Sequence, residues 1–301
     1  MKPTSIVFLI IAVLLIVGGV ITCSVAEDIA LTDNYALFHT SEDGGTYVRE
    51  DFDAAKIRKI ELLVTDAEIC IYGGAEEAYV EFFNFRDGLF TLSNSGEVIS
   101  MDEIPDIHSL FNLQSGFSFS GMRYILRSGT VSLGEKKINI YLPQEADLKQ
   151  ISIEADNCVL HADSIYNKFD LSLHASGTVS LQTSNFRTAC KLAVQARTAE
   201  LQMESSYLHS IDLNVDSLTA ALQEIYWDHL TLELEEGSVN ALSNVSLNRY
   251  IYDIKGKGTL SVGNSEMQLP YSVGDTEDTS GQPRISGNIG RAQVTLDEII
   301  D

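Results

Sequence analysis

From residue 151 onward the chain repeats itself about every twenty residues. ISIEADNCVLHAD at 151–163, LSLHASGTVSLQT at 171–183 and LELEEGSVNALSN at 232–244 share one skeleton: alternating apolar and polar residues, a small or glycine-bearing break, then alternation again. Segments start at Ile151, Leu171, Leu192, Leu213, Leu232 and Tyr252, separated by 20, 21, 21, 19 and 20 residues. A second apolar column runs Val159, Val179, Ala199, Ala220, Val239 and Leu260, and a third Phe186, Tyr207, Trp227, Leu247 and Met267. Three columns sharing one period mark a stacked repeat architecture. Apolar residues within a unit are two apart, so the elements are strands. The LxxLxLxxN phrase of leucine-rich repeats is absent, and helical repeats would need a 3.6-residue period.

The expectation is an all-β chain, a parallel β-solenoid with coils of about 20 residues, regular over about 151–267. Successive coils would lie in parallel register ~4.8 Å apart. Gly177, Gly237 and Gly258, with Asn157 in the matching place, stand where each coil must turn sharply, and these residue types tolerate such backbone angles best. Each inward Leu, Ile or Val stabilises by roughly 1.5–3 kcal/mol on full burial, too little for one coil to offset its own ordering entropy. Stacked coils share that burial.

Upstream, KIRKIELLV, AEICIYG, AYVEFFNF, LFTLSN and INIYLP read as short strands between 56 and 143, with Pro143 closing the last. The whole of 56–301 is therefore expected to form one β domain, after a polar spacer at 27–55. FNLQSGFSFSGMRYIL at 111–126 is expected to cover an open end of the stack, which must be shielded from edge pairing. VGDTEDTSGQPRISG at 273–287 reads as a loop, followed by a last strand, AQVTL, at the far end.

Every residue from Ile6 to Ile21 is apolar or glycine, and 22–25 add little polarity. About 20 residues are needed to cross a bilayer core of roughly 30 Å. Lys2 precedes the run, and Glu27, Asp28 and Asp33 follow it, so the positive-inside tendency sends the body of the chain out of the cytoplasm. Residues 1–26 are expected to be a retained transmembrane anchor, because the apolar run exceeds the ~7–15 residues of a signal-peptide core. The alternative is cleavage after Ser24-Val25-Ala26. Either way the domain would be extracytoplasmic.

With 20 basic against 43 acidic residues the chain carries a net charge of −23, a field that repels phosphate backbones and excludes nucleic acid as a partner. The four cysteines, Cys23, Cys70, Cys158 and Cys190, form no CxxC pair, so no disulfide framework is indicated and buried free thiols are expected.

A membrane-proximal segment, short strands ending in YLP, and 20-residue strand repeats with SG or EG turns resemble the bacterial "putative adhesin" family, cell-surface β-strand-repeat proteins. The resemblance covers roughly residues 55–296. It implies a right-handed parallel β-solenoid on the cell envelope, and it supplies no catalytic residues.

Two outward columns bear on chemistry: Glu154, His174, Gln195, Asp216, Glu235 and Lys255, with Ser152, Ser172, Ala193, Asn214, Glu233 and Asp253 beside them. Stacking at the sequence period would gather Asn214, Asp216, Glu233, Glu235 and Asp253 on one patch, a candidate Ca²⁺ site because hard cations take several clustered oxygens. No other cofactor is indicated. A carboxylate pair acting on a sugar would need differently tuned, convergent groups, and no Arg or second His interleaves these columns. No GxGxxG, Walker, HExxH or GxSxG motif stands in a supporting context. The functional expectation is a non-enzymatic, membrane-anchored binding module whose partner is an envelope polymer or another membrane protein. A regulatory role in envelope-stress sensing is the alternative, and a carbohydrate-active enzyme the minor one.

Overall fold

The computed structural model describes residues 46–85, 90–103, 136–187, 191–274 and 282–299. The chain divides into two units, Met1–Thr46 with Pro105–Leu133, and Tyr47–Ile104 with Gly134–Asp301, and the description below concerns the second. The expected anchor at 6–25 and the expected cover at 111–126 lie outside the described residues. Among the described residues no helix is long and apolar enough to cross a membrane.

Among the described residues sixteen strands join in one all-β, mostly parallel sheet. In chain order they are β1 (Thr46–Asp51), β2 (Lys59–Gly73), β3 (Tyr79–Phe85), β4 (Phe90–Asn94), β5 (Val98–Glu103), β6 (Lys137–Leu142), β7 (Gln150–Asp163) and β8 (Asp170–Ser184). There follow β9 (Lys191–Glu204), β10 (Tyr207–Ser243), β11 (Ile251–Gly256), β12 (Thr259–Val262), β13 (Ser265–Met267), β14 (Tyr271–Val273), β15 (Arg284–Ile289) and β16 (Gln293–Glu298). The expected spacer therefore already contains strand β1. Only a 3₁₀ turn at Leu247–Arg249 interrupts the strands with helical backbone among the described residues.

The repeat period becomes hydrogen-bonded register. Ile151 pairs with Leu171, Leu171 with Leu192 and Leu192 with Ile211, all in parallel. In β7 and β9 the inward parity changes once. In β7, Ile151 and Ile153 are buried before the break, and Cys158, Leu160 and Ala162 after it. The break is where Asn157 and Gly177 meet, as the sequence implied. The Asn157 side-chain oxygen accepts from the Thr178 backbone N–H at 3.0 Å and the Thr178 hydroxyl at 2.7 Å. Gly177 is the extra residue that makes one unit 21 long, and the register shifts there.

A second set of turns follows β7, β8 and β9 and recurs within β10. Ser164, Asn185, Ser205 and Glu224 take left-handed backbone (φ 55°, 52°, 47° and 55°). Each such residue costs something in strain. The backbone is held by N–H donation from Ser164 to Ser184 O, Asn185 to Glu204 O and Ser205 to Gln223 O, at 3.0–3.1 Å. Inward residues from all rows, Ile57 to Leu296, form one continuous apolar core.

Several expectations are corrected by this register. Val159 was placed inward, but it is 40% exposed and pairs with Ser180, while its neighbour Cys158 is buried and pairs with Val179. Tyr207 is exposed, and Leu208 takes the buried place. The row from Leu192 continues to Ile211 and not Leu213, because that unit is only 19 residues long. The segment 273–287 contains most of β15, since Arg284–Ile289 is a strand. Above all, β15 and β16 are not at the far end. β15 lies between β10 and β11, and β16 between β10 and β12, so residues 251–262 do not pair with 229–243.

Both ends of the parallel stack carry antiparallel strands. β3 pairs with β6 and β4 with β5 at one end, while β14 pairs with β11 and β13 with β12 at the other. Short antiparallel strands occupy the hydrogen-bonding edges that would otherwise template aggregation. Glu103, at the end of β5, is a carboxylate 8% exposed. It accepts from the Thr65 N–H at 2.9 Å and hydroxyl at 3.1 Å and pairs with Lys136.

Candidate functional site

The sequence-expected acidic patch does not assemble as a unit. Gln195 pairs with Asn214, so Asp216 belongs two residues further along the row than expected. Glu233 pairs with Asn288, and Asn288 with Lys255. Asp253 pairs with Ser286, and Ser286 with Thr231. Strand β15 thus separates Asp253 from the β10 residues Asn214, Asp216, Glu233 and Glu235, and Asp253 instead lies 3.8 Å from the Lys255 ammonium. No three His, Cys, Asp or Glu side chains among the described residues converge as a group that could hold a metal. His174 stands between Glu154 and Gln195, as the columns implied.

A different outward face is more developed. Beyond the Asn157 break, the outward residues of seven consecutive strands line up in three adjacent rows. One row runs Tyr79, Tyr141, Tyr72, Asp163, Ser184, Glu204 and Gln223. The next runs Glu81, Asn139, Cys70, His161, Gln182, Gln202 and Ala221, and the third Phe83, Lys137, Glu68, Val159, Ser180, Glu200 and Thr219. Each row spans six inter-strand spacings, about 29 Å at ~4.8 Å each. The parity of the strand fixes this placement, because inward Leu160, Leu181 and Leu201 force their neighbours outward.

At the N-terminal end of the face the rings pack on one another. Tyr79 stacks on Tyr141 at 4.3 Å and Tyr141 on Tyr72 at 4.9 Å, with interplanar angles of 20° and 22°. Arg49 closes the outer side, its guanidinium 3.8 Å from the Tyr79 ring centre. Partial burial, together with the nearby Glu81 charge, pushes the Tyr141 phenol up to about 12. Burial likewise raises Tyr72 and the Cys70 thiol. Glu68 and Lys137 pair at 2.8 Å, which lowers the carboxyl and raises the ammonium.

Toward the middle of the sheet the same rows sink into an open trough. Its lining includes His161, Asp163, Gln182, Ser184, Gln202 and Glu204. The Ser184 hydroxyl donates to Asp163, and the Gln202 amide donates to Glu200 at 3.2 Å. Ala221 and Gln223 also line it, and Tyr72, the last ring of the stack, pairs with the lining residue Asp163. Sequence reasoning missed this face because its second apolar column runs through Val159, which stands outward at 40% exposure. The available signal was the pair of outward glutamines, Gln182 and Gln202, one unit apart.

A second aromatic row lies beyond the left-handed turns. Arg187 pairs with Tyr207, and Tyr207 stacks on Tyr226 at 4.4 Å. Asp228 accepts from the Tyr226 hydroxyl at 3.0 Å, and the Arg249 guanidinium stands 3.4 Å from that carboxylate. His209 Nδ1 lies 3.0 Å from Asp228. These groups satisfy one another, as a surface ion-pair cluster does.

No family model matches the chain, and no curated protein does. Among solved structures it is similar to a putative cell adhesion protein from Clostridium sporogenes ATCC 15579, at 10% identity over 85% of this chain and 100% of that one, with a TM-score of 0.36. It is also similar to a putative adhesin from Bacteroides fragilis NCTC 9343, at 14% identity, 87% and 100% coverage and a TM-score of 0.29. A putative lipid binding protein from Parabacteroides distasonis ATCC 8503 matches at 10% identity, 86% and 98% coverage and a TM-score of 0.32. Similarity at this level transfers no function.

Proposed function

We propose that this chain is a non-catalytic binding module of the bacterial cell envelope. In this reading it is a right-handed parallel β-solenoid, held at the membrane by residues 6–25, that presents its three-row face to an extended polymer. The solenoid reading is supported by parallel registers advancing 19 to 21 residues per row, with each row turning at the same two places. The anchor is supported by the unbroken apolar run of the sequence.

The observation that carries the function is the length and uniformity of the face. Outward polar residues recur at one place on strand after strand, which suits a ligand that itself repeats. Catalysis would instead require a local convergence of a base, an acid and a stabilising donor. Along the trough the carboxylates are spread row by row, and Asp163 and Glu200 are engaged by Ser184 and Gln202.

The test uses the full chain in detergent micelles, co-sedimented with insoluble cellulose, chitin and peptidoglycan sacculi, and titrated with soluble pectate, heparin and polylysine. Retention by at least one polymer, lost in the Gln182→Ala/Gln202→Ala double variant and unaccompanied by release of reducing ends, supports the reading. Binding that the double variant leaves intact, release of reducing ends, or no binding to any of the six overturns it.

A further inference from the structure

The character of the ligand can be read from the donors, acceptors and charges of the same face. We infer that the trough takes a neutral, hydroxyl-rich glycan chain laid across the strands, with one sugar ring stacked on the free face of Tyr72; this rests on the face being a polymer-binding surface at all.

Charge excludes the polyanions. The three rows contain the carboxylates of Glu81, Asp163, Glu204, Glu68 and Glu200, against the single ammonium of Lys137, which is already paired with Glu68. A phosphate- or carboxylate-bearing polymer would meet a surplus of like charge on a chain that is itself at −23. Hydroxyl groups face no such penalty.

The central residues match hydroxyls in kind. Gln182 and Gln223 each offer an amide with donors and an acceptor, Gln202 offers its oxygen and the N–H not given to Glu200, Ser184 offers an acceptor while it donates to Asp163, and Ser180 and Thr219 offer hydroxyls. A sugar hydroxyl is likewise donor and acceptor at once. Gln182 and Gln202 are one strand spacing apart, ~4.8 Å, and Gln223 stands on the next strand in the neighbouring row. That interval is comparable with the advance per unit of an extended glycan, so one unit can meet one strand. Carboxylates oriented by their neighbours, such as Asp163 beneath Ser184, add acceptors for the remaining hydroxyls.

The aromatic stack sets the position. Rings in the Tyr79–Tyr141–Tyr72 column cover each other's faces, and Arg49 covers the outermost. Tyr72 is the last ring of the stack. Tyr141 stacks on one of its faces, and on the opposite side its strand neighbour is Asp163, a residue of the trough lining. Tyr72 is 40% exposed. A ring face beside a line of amides and hydroxyls provides the apolar contact that a sugar's C–H surface requires, and the amides fix its orientation.

The test measures affinity of the full chain, in detergent micelles, for soluble cello-, xylo- and chito-oligosaccharides, and for pectate, heparin, polylysine and chitosan. The reading expects a neutral oligosaccharide to bind with little dependence on salt. Tyr72→Ala should weaken that binding by about three- to tenfold, the range of one aromatic contact, and Tyr72→Phe should restore it. Gln182→Ala should weaken it by a similar factor. Because both side chains are exposed, unchanged Tm in the variants separates loss of binding from loss of fold. Binding confined to polylysine or chitosan, and abolished by salt, would overturn the glycan inference while leaving the polymer-binding reading standing. Binding of pectate or heparin in preference would overturn it too. Absence of binding to every probe would remove both.

Discussion

Gly237 lies directly against the backbone of Leu218: a Cβ placed on it would stand 1.9 Å from the Leu218 carbonyl oxygen. The two halves of β10 are therefore packed main chain to main chain at this turn, and Gly237 also has φ +116°. Gly237→Ala must both strain the backbone and push two rows apart. Strained backbone alone costs about 1–3 kcal/mol. Gly263→Ala is the comparison, with φ +59° and nothing within 4 Å of the added carbon, and should cost about 1–2 kcal/mol. Urea unfolding followed by the fluorescence of Trp227, the only tryptophan, should rank Gly237→Ala as the more damaging. Equal effects would contradict the close approach.

Cys158 and Val159 are neighbours with opposite fates, the first 3% and the second 40% exposed. Cys158→Ser buries a hydroxyl without a provided partner and should cost about 1–3 kcal/mol. Val159→Ser should fall within about 0.5 kcal/mol of the parent. Burial also pushes the Cys158 thiol up to about 12. In a chain with Cys23, Cys70 and Cys190 replaced by serine, it should react with a disulfide reagent only after unfolding.

The Glu68–Lys137 pair should leave a mark on both limbs of the pH–stability curve. The Glu68 carboxyl is lowered by its bond to Lys137, so its contribution is complete above the unfolded value near ~4.3 and fades as pH falls through the folded one. The Lys137 ammonium is raised by the same bond, so its contribution is complete below ~10.4 and fades as pH rises through the folded value. Both side chains are about one-third exposed, which limits the pair to roughly 0.2–1 kcal/mol. Glu68→Gln should lower stability across the plateau and flatten both limbs. A difference that persists undiminished at both pH extremes would contradict the assignment.

Millimolar Ca²⁺ should leave the melting temperature where chelator leaves it. Asp253 is separated from Glu233 and Glu235 by β15, and a ligand that binds only the native state must stabilise it. A rise in Tm that Glu233→Gln abolishes would place a cation on this patch after all.

The fold was far more legible than the site. Spacing of two within units and about twenty between them was enough to give strands in parallel rows, and the Asn157–Gly177 break was readable from residue type. The slip from Ile211 to Leu213 was not, because a shift of two residues keeps every side chain on its own face and leaves the pattern unchanged. The Val159 error arose at a break, where parity changes and the more hydrophobic of two neighbours is not the one turned inward. The trough depended on that parity, so it went unseen.

Local periodicity settled which residues could form strands and which faces those strands would bury, since these follow from side-chain alternation and the cost of exposing apolar surface. The order of the last rows was decided only in three dimensions. Residues 284–298 pair between 229–243 and 251–262 because backbone hydrogen bonds accept any strand of matching alternation, whatever its distance along the chain. Tertiary packing alone chose which one fitted, and with it which polar side chains became neighbours.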